Sequence, residues 1–287
     1  MKKHFSICIV FFFLMCGSSL AQVYRLGYAF HYKKDKNVPG YFKEMEMRVD
    51  FDGKTLAYYS EPAFLKDSLR ALAFDRNGQV ANQAALREMG RVRGGVFYDT
   101  VLVDLENRTM DLFYQVAVIS VRGSSVLTVP LWTMTGESRK DPVSGLPCLK
   151  AEADYLGRHW TAWFTTDIPV PAGPWCLWGL PGVIVYAEDG ENLFHFQLMW
   201  TEEANASRYD FLRVRKRERP GTSMQQVSLG LTEAERFHNR LMRDPGYLDQ
   251  LTGASGGYVT DRSGRTMPLE QTLPYIPLIP DGYFNDK

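Results

Sequence analysis

GPWCLWGLPGVIVYAEDG, residues 173–190, sets four glycines and two prolines around an apolar run. Its reading decides between a loop that grips a ligand and a turn that feeds a buried strand. A phosphate-cradling glycine loop needs a strand before it and a helix after it, so that helix amides point at the anion. Here the strand-like run VIVYAE follows, and neither GxGxxG nor GxxxxGK[ST] occurs in the chain. The stretch therefore reads as a turn, a buried strand and a hairpin tip at Asp189-Gly190.

Working outward, short runs of alternating apolar and polar residues surround it, among them VYRLGYAFHY at 23–32 and TMDLFYQVAVIS at 109–120. This is the period-two pattern of strands with one face in a core. Asp52-Gly53 and Asp189-Gly190 supply the positive φ that tight hairpins demand, and Leu156-Gly157 turns another pair. After the second tip, Phe194, Phe196, Leu198 and Trp200 fall on one face of the strand, with His195 and Gln197 on the other.

The clearest helix is LTEAERFHNRLM, 231–242, with a capping-box pattern at Thr232 and Glu235 and a stripe of Leu231, Phe237 and Leu241. Segment 62–95 is open between short helices and a long loop crossing the sheet. The tail from Pro268 to Pro280 carries too many prolines for a central strand and reads as an extended segment docked on the surface. The expectation is one mainly β domain over 22–287, a curved antiparallel sheet or half-barrel with one or two packed helices.

The N terminus has the layout of a secretory leader, with Lys2 and Lys3, an apolar run to Met15, and small residues at Ser19 and Ala21. Cleavage before Gln22 leaves 266 residues, 287 minus 21. Lipid attachment at Cys16 is the minority reading, because bulky Met15 precedes it. Loss of two lysines leaves 31 basic against 33 acidic residues from the 33 of each in the whole chain, a balance that argues against a nucleic-acid partner. No later stretch reaches the roughly 18 apolar residues of a membrane helix.

Cys148 and Cys176 remain as the one pair in the mature chain. In an oxidising compartment a bridge would close a loop of about 29 residues, worth roughly 3 kcal/mol; two separate buried thiols are the alternative.

The usual catalytic and metal patterns are missing. His31, His159, His195 and His238 sit at no ligand spacing, and HExxH and paired CxxC are absent, so no metal and no cofactor are expected. His238 reads as solvent-facing. GASGG at 253–257 matches GxSxG, but a helix precedes Ser255 and a strand follows, the reverse of a nucleophile elbow. Asp154, Asp167, Glu188, Asp189 and Glu191 are carboxylates near aromatic residues, yet 188–191 reads as a solvated tip.

The residues WTAWFTTDIPVPAGPWCLWGLPGVIVYAEDGENLFHF resemble the signature of the GLPGLI family of exported Bacteroidetes-type proteins. The hexapeptide here is Gly179, Leu180, Pro181, Gly182, Val183 and Ile184, with Val183 in place of leucine. The resemblance implies export and a β-rich domain and transfers no mechanism. Gly179 and Gly182 can take positive φ, and Leu180 can plug the core. Trp175 and Trp178 either pack beneath it or form a recognition surface. The leading functional reading is a non-enzymatic envelope protein that binds an apolar ligand or a protein partner through its curved sheet; the alternative is an envelope hydrolase acting on glycan or peptide.

Overall fold

The computed structural model describes residues 22–33, 42–92, 99–116, 119–217, 225–252, 258–260, 266–268, 277–280 and 283. The chain runs through β1 (Val23–Tyr32), β2 (Lys43–Phe51), β3 (Thr55–Ser60), α1 (Glu61–Ala73), α2 (Gln83–Arg91), β4 (Thr100–Asp104), β5 (Thr109–Val116) and β6 (Ile119–Val126). It continues through β7 (Thr133–Lys140), β8 (Pro147–Tyr155), β9 (Arg158–Thr165), β10 (Val183–Asp189), β11 (Phe194–Ala204) and α3 (Tyr209–Arg217). The last elements are β12 (Gln225–Gly230), α4 (Leu231–Arg243), α5 (Pro245–Thr252), β13 (Tyr258–Thr260) and β14 (Thr266–Pro268).

Strands β1 to β12 form one open sheet in the order β12-β6-β5-β4-β3-β2-β1-β11-β10-β9-β8-β7. The fold is mainly β, as the alternating runs predict, but the sheet is mixed, because β12 pairs with β6 in parallel. Five helices are described where one or two were expected, and α1 and α2 occupy the segment left open above.

Connectivity shows how strongly the sheet curls. β6 and β7 stand ten places apart in the sheet order, which in a flat sheet would be about 48 Å at 4.8 Å per strand. Only residues 127–132 join them, a span of about 25 Å at full extension. The two ends of the sheet must therefore curve toward each other. Contacts agree: Thr128, just past β6, shares a hydroxyl contact of 2.8 Å with Tyr155 at the end of β8, and the Tyr155 hydroxyl lies 3.2 Å from the Thr128 carbonyl.

Leu26, Tyr28 and Phe30 of β1, Met47 and Val49 of β2 and Phe196 of β11 face the concave side and are buried. α4 covers one half of that side, against β5, β6 and β12. The outer side is partly covered by α1 and α3, where Tyr59, Leu102 and Phe113 meet Tyr209 and Leu212. At its centre Asp50 is buried and takes two 2.8 Å hydrogen bonds from the Arg25 guanidinium and one of 3.0 Å from Tyr59. A buried carboxylate needs this pairing to offset its desolvation.

Several local readings need correction. A bulge between Gly27 and Tyr28 pairs Tyr28 with Leu198 but Gly27 with Trp200, so Trp200 leaves the face shared by Phe194, Phe196 and Leu198. It crosses Gly27 on the outer side, where a Cβ would stand 2.2 Å from its ring, and Arg48 lies 4.5 Å over it. A bulge shifts the inside-outside alternation by one residue. At the 189–190 tip the positive φ falls on Asn192, not Gly190. Leu156 and Gly157 both have positive φ, as the two-residue turn between β8 and β9 requires.

The capping box is also overturned. Gly230 is the N-cap of α4 with no side-chain hydrogen bond, and Glu235 is buried as the acceptor of the Tyr114 hydroxyl. Helix α5 begins at Pro245, where a missing N–H costs nothing. Of the proline-rich tail, Leu278 and Ile279 are buried, held by Arg158, whose guanidinium donates to the Leu278 and Pro277 carbonyls at 2.7 Å each. The leader, Cys16 and Ser255 lie outside the described residues.

Candidate functional site

Between the paired strands β9 and β10 the chain leaves the sheet and folds back over the concave face, so residues 166–182 form a plug. Its backbone is internally bonded: Gly179 N–H donates to Pro171 O at 3.1 Å, Leu177 N–H to Pro174 O at 2.9 Å, and Ile184 N–H to Ala172 O at 3.1 Å. The Tyr28 hydroxyl, from β1, donates to Ile184 O at 2.7 Å. Cys176, Leu177 and Leu180 are buried within it.

The two signature glycines have different physical reasons. Gly179 has φ of +92°, the region open to glycine, whereas Gly182 does not take positive φ. A Cβ on Gly182 would stand 1.9 Å from Thr165 O, so its hydrogen lets the returning chain touch the end of β9. Val183 and Ile184 then enter β10 fully buried.

Trp175 is 2% exposed and Trp178 8% exposed, so neither offers a recognition surface. Trp175 packs on Trp160 with ring centroids 5.6 Å apart, and the Trp178 carbonyl accepts from Trp132 Nε1 at 2.9 Å. The concave face there is therefore filled by the chain itself, which differs from the hollow half-barrel expected.

The expected Cys148–Cys176 bridge is not formed; both are free, buried thiols. Register explains it. Cys148 opposes Arg139 and lies on the outer-side parity of β8, while Ala151 and Ala153, opposite Ala162 and Trp160, point to the concave core. Cys176 is in the plug on the concave side, close enough to feel Tyr58 and Tyr155. Burial pushes the Cys148 thiol up to about 11 and the Cys176 thiol well above its ordinary range.

Of the five carboxylates, Asp189 and Glu191 meet at one guanidinium nitrogen of Arg158, 2.8 and 3.7 Å away, while Asp154 and Glu188 have separate partners. Asp154 meets His159 Nδ1 at 2.8 Å on an exposed surface, and Glu188 accepts from the Tyr186 hydroxyl at 2.8 Å. Asp189 is not solvated: it is buried, bonded to Arg158 at 2.8 Å and to the Leu193 and Phe194 N–H groups. Glu191 is exposed near Arg158, and Asp167 is exposed at the start of the plug. Among the described residues no group of three or more His, Cys, Asp or Glu side chains is placed to hold a metal ion.

What the fold does build is a cleft of about 640 Å³ at the seam where the sheet ends approach. One wall is Ser125 at the end of β6 with Thr128, Val129 and Leu131 of the connecting strap. The other comprises the β8–β9 turn, the start of α4 and Tyr283. Leu131 is 87% exposed, so an apolar side chain also rims the opening. Sequence reasoning named Asp154, Leu156, Leu231 and Thr232 in other roles and missed the remaining lining residues. The one available signal was SSVLTVPL at 124–131, an apolar run that breaks alternation without becoming a helix.

Behind the cleft, beneath α4, is a buried polar group. The His238 ring stacks on Tyr114 with centroids 4.2 Å apart, and His238 is 3% exposed, which corrects its solvent-facing assignment. Burial lowers His238 to about 3, while burial, with nearby Asp99, raises Glu235 well above the carboxylate range. Burial thus favours the neutral form of each side chain.

A family model matches residues 150–186. Its description is "Protein of unknown function (Porph_ging)". The match covers β8, β9, the plug and the first part of β10, including the hexapeptide at 179–184. No curated protein matches. Among solved structures, the chain is similar to PNGF-II in a C2 crystal form, with a TM-score of 0.49, 12% identity, and coverage of 77% of this chain and 34% of that one. A P21 form of PNGF-II gives a TM-score of 0.45, 13% identity, and coverage of 73% and 32%. The chain spans about a third of the length of these structures.

Proposed function

We propose that the protein is an exported, non-enzymatic binder of an apolar ligand, and that the ligand sits in the seam cleft; the leader and the GLPGLI resemblance support export alone. The observation that supports this reading is the cleft itself. Its volume falls within the few hundred to a thousand cubic ångströms usual for small-molecule sites, and Val129, Leu131, Leu156 and Leu231 give it an apolar lining. Asp189 and Glu191, which meet at Arg158, give the hydrolase reading little support, because Asp189 is buried and bonded to Arg158 and to two backbone N–H groups.

The test is titration with Nile red, a neutral apolar dye whose emission rises on transfer out of water. Wild-type protein should bind it, and Leu131→Glu and Val129→Glu, both at exposed positions, should bind about tenfold more weakly while folding normally. Absence of dye binding, or equal binding by both variants, overturns the reading.

A further inference from the structure

The sheet order ends at β7, which pairs on one side, with β8, and all eight of its residues are exposed. An open edge strand is a template for another strand, and proteins blunt such edges with bulges and charges. β7 carries both. A bulge between Met134 and Ser138, with Gly136 at φ of +82°, bends the strand, and the regular pairing resumes from Ser138 to Lys140.

The ladder shows which main-chain groups of this stretch face outward. Asp141 N–H donates to Leu146 O at 2.9 Å, which makes 141 and 146 a hydrogen-bonded pair. Antiparallel pairs alternate, so Arg139 and Cys148 bond each other, whereas Ser138, opposite Leu149, and Lys140, opposite Pro147, turn their main-chain groups away from β8. Pro147, which has no N–H, suits its unbonded position. Ser138 and Lys140 therefore offer N–H and C=O groups at the open edge.

The charges beside those groups match a second copy of the same strand. Glu137 and Arg139 lie on the outer side, the first 3.0 Å from Lys150 Nζ and the second 4.0 Å over the Trp163 ring. Lys150 also has Glu152 at 2.8 Å, so it stays paired when Glu137 turns to a new partner. Among the described residues Arg139 is in no ion pair.

In an antiparallel pair of two β7 strands centred on Ser138, each Ser138 exchanges main-chain hydrogen bonds with its counterpart. The same register sets Glu137 of each copy directly opposite Arg139 of the other, in the more closely spaced kind of pair, where opposite charges attract. Moving the centre by one residue sets Glu137 against Glu137 or Arg139 against Arg139, which repel. The edge charges thus deter other registers and favour this one. Exposed Met134 and Leu149, beside the edge on the concave side, gain cover in the same arrangement.

We propose that the protein self-associates through β7 as a two-fold dimer centred on Ser138, in which two sheets join edge to edge. The inference is independent of the cleft.

The experiment is sedimentation equilibrium of the chain from Gln22 to Lys287. Between about 5 and 500 µM it should show monomers and dimers with a dissociation constant of about 50 µM, as suits a short ladder. Glu137→Arg and Arg139→Glu, both at exposed positions, should each raise that constant at least about tenfold, because each sets like charges opposite one another. An equimolar mixture of the two variants should dimerise again, since both cross-strand pairs then join opposite signs. Ser138→Pro, which removes the central N–H from an edge strand, should abolish the dimer while the circular dichroism of the fold is kept.

A monomer at every concentration overturns the proposal. So does a wild-type dimer that neither charge substitution weakens, or a mixture of the two variants that stays monomeric. Binding of a labelled peptide of alternating valine and glutamate to a chain that remains monomeric assigns the edge to a strand of another protein, and also overturns it.

Discussion

His238 and Glu235, one turn apart on α4, are a base and an acid whose titrations burial shifts in opposite directions, and their pH signatures oppose each other. Burial lowers His238 from 6.5 to about 3, so between those values the unfolded chain binds a proton that the native chain refuses. The unfolded state is then favoured as pH falls. The contribution of His238 is fully present above its unfolded value and is lost as pH drops toward about 3. From about pH 7 to about pH 4.5 the loss is about 2 to 3 kcal/mol, since each pH step below the unfolded pKa is worth about 1.4 kcal/mol. Glu235, raised by burial, acts in the other direction: its contribution is present below the ordinary carboxylate range and is lost as pH rises.

The perturbation is His238→Phe, which retains a ring to stack on Tyr114 and removes the titration. Urea unfolding of wild type and variant at the two pH values gives four free energies, and the check is the difference of differences. Wild type should lose about 2 to 3 kcal/mol more than His238→Phe on acidification. Glu235→Gln should change with the opposite sign, losing more on acidification than wild type does. Parallel behaviour of wild type and His238→Phe would refute the burial of a neutral histidine beneath α4, whatever the absolute stability of the variant.

Gly182→Ala places a methyl group against the Thr165 carbonyl, where 1.9 Å separates the two, and should cost about 2 kcal/mol or more in a denaturant melt. Gly190→Ala, whose Cβ has 3.5 Å to its nearest neighbour, is the control and should change little; equal midpoints for the two variants would count against the plug packing. For the thiols, a maleimide should label neither Cys148 nor Cys176 at an appreciable rate in the native protein, and both after unfolding without reductant, because burial keeps them protonated. A two-thiol deficit in the unfolded, unreduced sample would show a bridge.

The period-two alternation made the strands legible, along with the Leu156-Gly157 turn and the entry of Val183 and Ile184 into a buried strand. It failed at Trp200 because a one-residue bulge opposite Gly27 leaves no mark in the pattern of β11 itself. It failed on α4 because the buried face there carries Glu235, His238 and Asn239 as well as Leu231 and Leu241. A stripe drawn from apolar residues alone includes Phe237 and excludes the polar residues, which are buried only because Tyr114 meets them from the sheet. Asp189 was misread for the same reason: its partner Arg158 lies on another strand, 31 residues away. The seam cleft has no local motif, since its walls come from four segments far apart in the sequence.

The plug and the cleft are nonetheless mechanically linked, through the strap at 127–132. On its inner side the strap is tied to the plug by Trp132 Nε1 donating to Trp178 O, and a Cβ on Gly179 would stand 2.8 Å from Val129 Cγ1. The same Val129 lines the cleft with Leu131. Gly179→Ala should therefore push the strap outward as well as strain a residue at φ of +92°. The expected result is weaker Nile red binding in a protein that still folds, with Gly179→Ala/Val129→Ala binding more tightly than Gly179→Ala alone because the collision is relieved. If Gly179→Ala destabilises the fold but leaves dye affinity unchanged, the plug is scaffolding alone. A measured coupling would instead mean that the glycine-rich stretch acts on binding at one remove, by setting the position of a cleft wall.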